Sequence, residues 1–556
     1  MKRIAVFLSF FLFIQIASAQ EIPFNLAPDW QSTPLSHVAT GLALADINGD
    51  GWKDLVVANG NDISIQNLVV YYNSGDGTFP LIPSWSSADS DYHGHCAVGD
   101  INKDGWLDVA VSVYIGKAGF SQPGRVKVYY NNGGELESVP SFESVEFYTF
   151  SCALGDANGD GWLDLAAATS ESYGSIWDKG KIFFNNDGQF NTTADWETAS
   201  LAGFMDVEFG DMDSNGFLDL VFIGNQYPNA MYLSDDLGLI SNAPSWQSAE
   251  AVTFNNSIDI GFFGENDVPG FVTTGNNQLG GDGKVRFYDF SAGVPVNSSA
   301  SWVSPPVGYG SGVILADVTA DGDLDLIYGG WWLPMRIIRG TGTSFENTVA
   351  YTSSTNSVVE AIQLADLGRE SVYTKVETIS GRPDQSNAIR LQHQLVENVL
   401  EIYKNGELLP STHYCYVPNK NWISFTQKLI PADVIMVVYE ISHDPDIVIT
   451  NWDSQKGNYI FYNTNIPTGN GQYIEREPSF DIYPNPAHSD FTISLKNAIH
   501  GVKNLKVYDI WGKMIFQASF ETSTEQLNIK QTGRGFYSVE VECQGESLGF
   551  MKLIIH

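Results

Sequence analysis

The chain has 556 residues, 43% of them hydrophobic and 17% charged, with a formal net charge of −36. That is enough apolar material for a large core divided among several domains, and it excludes a disordered chain. So much negative charge repels polyanions, which argues against nucleic acid as a partner and makes cations the expected companions.

The first predicted element is a signal peptide over residues 1–19. "MKRIAVFLSFFLFIQIASAQ" opens with Lys2 and Arg3, runs apolar from Ile4 to Ile16, and sets small residues at Ala17 and Ala19 before a cut ahead of Gln20. No later stretch reaches the roughly 18 apolar residues of a membrane helix. The cleaved chain is therefore expected to be exported, with no integral membrane segment.

Residues 20–477 read as seven repeats of roughly 50 residues, a period that marks a propeller or solenoid. Counted from the first aspartate of a recurring acidic loop, the repeats begin at Asp46, Asp100, Asp156, Asp211 and Asp317, with degenerate copies at Phe262 and Asp366. Each repeat adds a downstream strand such as "LVVYYNSGDG" or "VKVYYNNGG". Each unit closes on an aromatic, at Trp30, Trp85, Phe142, Trp196, Trp246, Trp302 and Tyr351. Four short strands per unit, bounded by Gly, Asn and Asp, predict an all-β chain folded as a seven-bladed β-propeller. The first closing aromatic precedes repeat one and the last strand signal, at Asn458, follows repeat seven. The ring is thus expected to close without a free edge. Residues 370–444 interrupt the seventh repeat with alternating strands around "YKNGELLP", a small β-sandwich inserted into an exposed loop.

The loops follow DxNxDGxxD. Their odd positions converge on one point, and the glycine permits the sharp turn. Calcium takes six to eight hard oxygens at such a point, whereas magnesium prefers a tighter, water-rich octahedron. The candidate ligands are Asp46, Asn48, Asp50 and Asp54; Asp100, Asn102, Asp104 and Asp108; Asp156, Asn158, Asp160 and Asp164; Asp211, Asp213, Asn215 and Asp219; and Asp317, Thr319, Asp321 and Asp325. About five structural Ca2+ sites are expected. Phe262 and Gly270 replace both end ligands in repeat five, and Gly368 and Glu370 do not rebuild the set in repeat seven. An EF-hand would need a helix after the loop, and short apolar strands such as "DLVVANG" follow instead.

These loops resemble the FG-GAP or VCBS repeat family, over residues of about 30 to 465. The resemblance implies a calcium-stapled seven-bladed propeller like the head of integrin α-subunits. For activity it implies binding, adhesion or a scaffold for varied enzymes.

Residues 478–556 predict a second β-sandwich. Tyr483, Pro484, Asn485 and Pro486, then Asp509, Gly512 and Lys513, then Gly535 and Tyr537, and a terminal strand over Lys552 to Ile555 resemble the type A sorting domain of the Bacteroidetes type IX secretion system. That resemblance implies the secretion machinery as a partner and a product that is secreted or attached to the outer surface.

On the face away from the loops, sequence order places Tyr92, His93 and His95; Phe147, Tyr148 and Phe150; Tyr173 and Trp177; Phe204; Tyr227; Phe254; Tyr309; Trp331 and Trp332; and Trp452. Aromatics beside Asn225 and Gln226 or Asn276 to Gln278 suit sugar rings or a protein ligand, although many could wedge between blades. His93 and His95 alternate on a strand, a metal-ligand spacing. Cys96 and Cys152 sit at the same place in successive repeats, where two buried thiols are commoner than a bridge. No GxSxG elbow, HExxH helix or P-loop occurs, so no catalytic residue is assigned. The sequence points to a calcium-binding recognition or adhesion propeller for a glycan or surface protein. The alternatives are a polysaccharide lyase or hydrolase on the same scaffold, or a structural surface protein.

Overall fold

The computed structural model describes residues 22–464 and 480–555, apart from internal stretches of at most five residues such as 251–253, 278–280 and 509–513. The signal-peptide reading at residues 1–19 lies outside them. Among the described residues the helical content is one 3-10 turn, Ser411–His413, and no helix is long and apolar enough to cross a membrane.

Antiparallel sheets follow one another in chain order. The first orders Ala39–Ala45, Asp54–Asn59, Val69–Tyr71 and Trp85–Ser86, and the second Tyr92–Gly99, Asp108–Gly116, Gly119–Tyr129 and Phe142–Glu143. The third orders Ser151–Gly155, Asp164–Ala168, Lys181–Phe183 and Trp196–Glu197; the fourth orders Phe204–Gly210, Asp219–Gly224, Ala230–Tyr232 and Trp246–Gln247. The fifth is built on Asn255–Phe263, Val268–Gly275, Val285–Ser291 and Trp302–Val303. Gly310–Ala316, Asp325–Ile338 and Tyr351–Thr352 share a larger sheet with Ser357–Ala365, Asp446–Asn451, Tyr459–Phe461 and Trp30–Gln31, joined where Trp331 pairs with Val358. The predicted closing aromatics all begin two-residue outer strands.

The innermost strands pack side by side in sequence, from Ala39–Ala45 through Ser357–Ala365, which lies back against Ala39–Ala45. Their crowding explains their small residues: a Cβ on Gly41 would meet the Gly94 carbonyl at 2.8 Å. Second strands such as Asp54–Asn59 and Asp219–Gly224 are buried along their whole length. Packed on both faces, they read as continuous apolar runs and not as alternation. The ring is clasped by Trp30 pairing with Ile460 and Gln31 with Tyr459, strands from opposite ends of the propeller sequence.

The insertion leaves between Ser357–Ala365 and Asp446–Asn451, where the five intact repeats have an acidic loop. It forms one sheet ordered Val372–Ile379, Ile435–Ser442, Val396–Lys404, Glu407–Leu408 and another ordered Ala388–Arg390, Trp422–Phe425, Tyr414–Cys415. Ile389, Ile402, Ile423, Phe425, Ile435 and Val437 fill the space between them. Sequence reasoning set this unit on an exposed loop tip. It lies instead over the loop ends of the propeller: Lys53 donates to the Glu397 carbonyl (2.6 Å), Lys103 to that of Thr412 (3.1 Å) and Lys428 to that of Gly159 (3.2 Å). Trp422 and Cys415 pack into the same apolar cluster as Leu163 and Phe209. An insertion that buries apolar surface against its host is held there by the hydrophobic effect as well as by its tether.

Residues 480–555 form two further sheets, Phe480–Tyr483, Asp490–Leu495, Thr524–Asn528 and Met514–Phe520, Lys503–Tyr508, Gly535–Cys543, Glu546–Ile555. Phe491, Ile493, Leu505, Val507, Val539 and Leu553 form their core. Tyr483, Gly535, Tyr537 and Lys552 to Ile555 lie on these strands, whereas Pro484, Asn485, Pro486, Asp509, Gly512 and Lys513 lie outside the described residues.

Candidate functional site

The acidic loops share one internal wiring. In the first, Asp46 accepts backbone N–H groups from Gly49, Asp50 and Gly51 at 2.8–3.1 Å, and Asp50 accepts that of Trp52 at 2.9 Å. The sixth position must be left-handed, with φ of 90° at Gly51, 94° at Gly105 and 84° at Gly216, which explains its glycine. The fourth position is left-handed too, and there Lys103, Ser214 and Ala320 bear it without glycine.

The ninth position is the anchor. Asp54 accepts the N–H of Ile47 on one oxygen and that of Asn73 on the other, both at 2.9 Å. Asp108, Asp164, Asp219 and Asp325 repeat the pattern. Burial, then the nearby Asp50 and Asp46, push the Asp54 carboxyl up to about 7; burial raises Asp108 and Asp325 equally far and Asp100 and Asp156 to about 6. In the fourth loop Asp211, Asp213 and Asp219 each bring an oxygen within 4.8 Å of the others. Crowded carboxylates that are costly to ionise alone, joined by Asn or Thr oxygens, form a donor set that could hold a hard divalent cation.

The two degenerate loops differ. In the fifth sheet Gly261 pairs with Gly270 and Phe262 with Pro269, so the hairpin is short, and the Arg390 guanidinium of the insertion lies 3.9 Å from the Phe262 ring centre. In the seventh repeat Asp446 is the anchor, accepting the N–H of Leu367 at 2.9 Å and of Asn463 at 2.8 Å. Sequence reasoning missed it because 79 residues separate it from Leu367. Also missed were the asparagines after the third strands. Asn73, Asn131 and Asn185 each donate to a carbonyl of the preceding repeat's loop, at Leu367, Ile47 and Ile101, and so tie neighbouring sheets.

The channel enclosed by the innermost strands holds a cavity of about 160 Å³. Asp206, Glu208 and Asp259 point into it and accept backbone N–H groups of the next sheet, at Ile258, Ile260 and Leu315. Lys420 of the insertion closes the loop-side end by bonding Glu208 and, at 3.2 Å, Asp259. Burial raises both carboxyls, and those two carboxylates hold the Lys420 ammonium charged against its own desolvation. His95 Nδ1 lies 3.6 Å from Asp206, which also accepts the Ser151 hydroxyl. Burial opposes charge on His95 but Asp206 outweighs it, so its pKa is raised. His93 is elsewhere, buried with Nδ1 against the Asn59 carbonyl at 2.9 Å. An irregularity between His93 and Cys96 breaks the alternation that predicted a shared histidine face, and the two rings take different partners, the Asn59 carbonyl and Asp206. Cys96 and Cys152 are both free thiols.

At the other end of the channel aromatics gather. Tyr114, Phe150, Tyr173, Phe254, Trp331 and Trp452 line a small pocket whose polar residues are Asn61, Asn256 and Glu360. Trp331 stacks on Trp452 at 5.0 Å between ring centres and donates its indole N–H to Glu360 at 2.6 Å. Around the rim Trp332 is 55% exposed and Tyr173 45% exposed, with Phe120 and Tyr309 also exposed. Trp332 and Phe254 hold left-handed backbone (φ 56° and 65°), which bulky residues rarely adopt outside sites that exploit the strain. Of the aromatics predicted for this face, Phe147 and Phe204 are instead buried between sheets. Tyr114 and Phe120 were not anticipated.

Residues 32–111 and 156–222 match the family of FG-GAP-like repeats, and residues 481–556 match the secretion system C-terminal sorting domain. Mouse integrin alpha-3 is 32% identical over 114 residues, 19% of this chain and 10% of that protein. Rat phosphatidylinositol-glycan-specific phospholipase D is 30% identical over 200 residues, 30% of this chain and 23% of that protein. An endo-acting ulvan lyase of Formosa agariphila is 36% identical over 75 residues, 13% of this chain and 14% of that protein. The chain thus spans less than a quarter of each of these relatives. It carries FG-GAP-like repeats on a β-propeller and a secretion system C-terminal sorting domain, and it is a secreted or outer-surface attached protein.

Proposed function

We propose that this protein is a calcium-stabilised recognition propeller, exported by the type IX route, that meets its ligand at the aromatic mouth of the channel. The observation that carries the reading is the belt of exposed aromatic rings at that mouth, around Trp332, Tyr309, Tyr173 and Phe120. Such rings offer large contact area at low entropic cost to a sugar face or a protein surface. The five intact loops take calcium as a structural ion. At a site affinity of roughly 10–100 μM in millimolar calcium, each adds about 1.4–2.7 kcal/mol to the folded state.

A second reading, a polysaccharide lyase or hydrolase, is favoured by Glu360, whose carboxyl burial pushes up to about 7 inside the pocket. An acid of that strength suits proton transfer near neutral pH. One experiment separates the two: screen the mature protein on glycan and bacterial surface-protein arrays in calcium, and assay each bound glycan for shortened or unsaturated products. Retention that Trp332→Ala abolishes, without products, supports recognition. Products that Glu360→Gln abolishes replace it with the enzyme. Silence on both arrays overturns the reading in favour of a structural surface protein.

A further inference from the structure

The mouth pocket has an unusual polar balance. Its volume is about 20 Å³, room for a group of about one water's size and not for a pyranose ring. Its buried orphans are of both kinds: Trp452 Nε1, a donor, and Asn256 Oδ1, an acceptor, have no hydrogen-bond partner among the described residues. Glu360, 2% exposed, receives the Trp331 indole on Oε2 and is also hydrogen-bonded by Ser311. Asn256, 3% exposed, commits its amide N–H to Ser311 at 3.2 Å, while its Oδ1 has no hydrogen-bond partner among the described residues. Asp62 stands close enough to Glu360 and to Tyr173 to act on both electrostatically, and its Oδ1 is likewise buried without a partner among the described residues. No lysine or arginine is among the described residues lining the pocket, and the nearby His95 is engaged by Asp206.

We propose that this pocket receives the ammonium group of a lysine side chain presented by a partner protein. An ammonium carries three donors and one positive charge, so it answers the orphan Asn256 acceptor and the Glu360 carboxylate together, inside walls formed by Trp331, Trp452, Phe254 and Tyr173. A lysine carries its ammonium at the end of an unbranched four-carbon stem, so only the water-sized head group has to enter. The amine of an amino sugar sits directly on its ring and stops at the rim. The proposal rests on the mouth being the recognition surface and specifies what that surface recognises.

The test uses the mature protein in calcium and three probes: the capped peptide Gly-Lys-Gly, the same peptide with norleucine for lysine, and a chitosan oligosaccharide. Binding is read by tryptophan fluorescence and ligand-observed NMR. The proposal expects the lysine peptide to bind and the norleucine peptide not to, with folded Glu360→Gln weakening the lysine peptide at least about tenfold. Should Glu360→Gln fail to fold, Asp62→Asn serves with the same expectation of weakening. Equal binding of the norleucine peptide, chitosan binding without lysine binding, or indifference of the lysine peptide to both variants overturns the proposal. If the arrays show a ligand that Trp332→Ala releases while the lysine peptide never binds, the ammonium assignment fails and the recognition reading stands. If the arrays and all three probes are silent, both fall.

Discussion

The two ends of the channel set the same chemical problem and resolve it differently. At the loop-side end Glu208 and Asp259 project inward from the innermost strands, and the chain supplies its own ammonium, Lys420, carried in by the insertion. At the aromatic end Glu360 projects inward in the same way, but its partners are the Trp331 indole N–H and Ser311, with a histidine already engaged by Asp206 and the Asp62 carboxylate nearby. A buried carboxylate is tolerated only when paired, hydrogen-bonded or protonated. One end is therefore sealed by an internal ion cluster, and the other is left ready for a cation from outside.

The contrast can be broken most severely at the proposed calcium loops. With a chelator, the five proposed sites, at the affinities above, forfeit several kcal/mol in total, read as a fall in the denaturant midpoint that calcium restores. The loop-side seal should loosen first, because Asn387 of the insertion holds the Asp156 carboxylate at 2.6 Å. Next in size is Lys420→Met, which strands Glu208 and Asp259 and should cost about 3–5 kcal/mol in urea unfolding at pH 7.5. The loss should shrink toward pH 5, where protonation relieves the stranded carboxyls.

Smaller, and confined to the aromatic end, is a pH effect. The Glu360 carboxyl is raised from 4.5 to about 7 by burial, so its protonated form is favoured in the folded state. Its contribution is full below about pH 4.5, declines as the pH rises, and is gone above about 7. Subtracting the unfolding free energy of Glu360→Gln from that of the unaltered protein should expose a drop of about 3 kcal/mol across that window. A flat difference would show that Glu360 is solvated. The smallest stability effect belongs to Trp332→Ala, within about 0.5 kcal/mol for an exposed residue, although ligand binding at the mouth should vanish.

The repeats were legible because the propeller writes its period in residue types. Each anchor aspartate, turn glycine and closing aromatic answers a local backbone need, so each shows within a short stretch of sequence. The channel was not legible. Glu208 looks like any polar residue on a strand until Lys420 arrives from 212 residues away, and Asp446 matches Asp54 only once the intervening insertion is mentally removed. Phe204 shows the limit of composition: it was expected on the open face, but its ring stacks on Phe222 at 4.5 Å inside the wall. Which way an aromatic turns depends on the neighbouring sheet, and no local spacing encodes that. The left-handed backbone at Trp332 and Phe254 was equally invisible, since neither residue type announces it.

The clasp between Trp30–Gln31 and Tyr459–Ile460 also sets an order of events in time. Contacts such as Asn458 with Ser32 and Tyr462 with Asp29 join residues 426 and 433 positions apart, so the final closure must await nearly the whole chain. Closing so long a loop costs entropy before any pairing rewards it, and topologies dominated by such contacts fold slowly. The strand that completes the ring ends at Phe461, a short distance before the match to the sorting domain begins at residue 481. The last residues that the ring needs and its export label therefore become available at almost the same moment in the synthesis of the chain, and slow closure follows both.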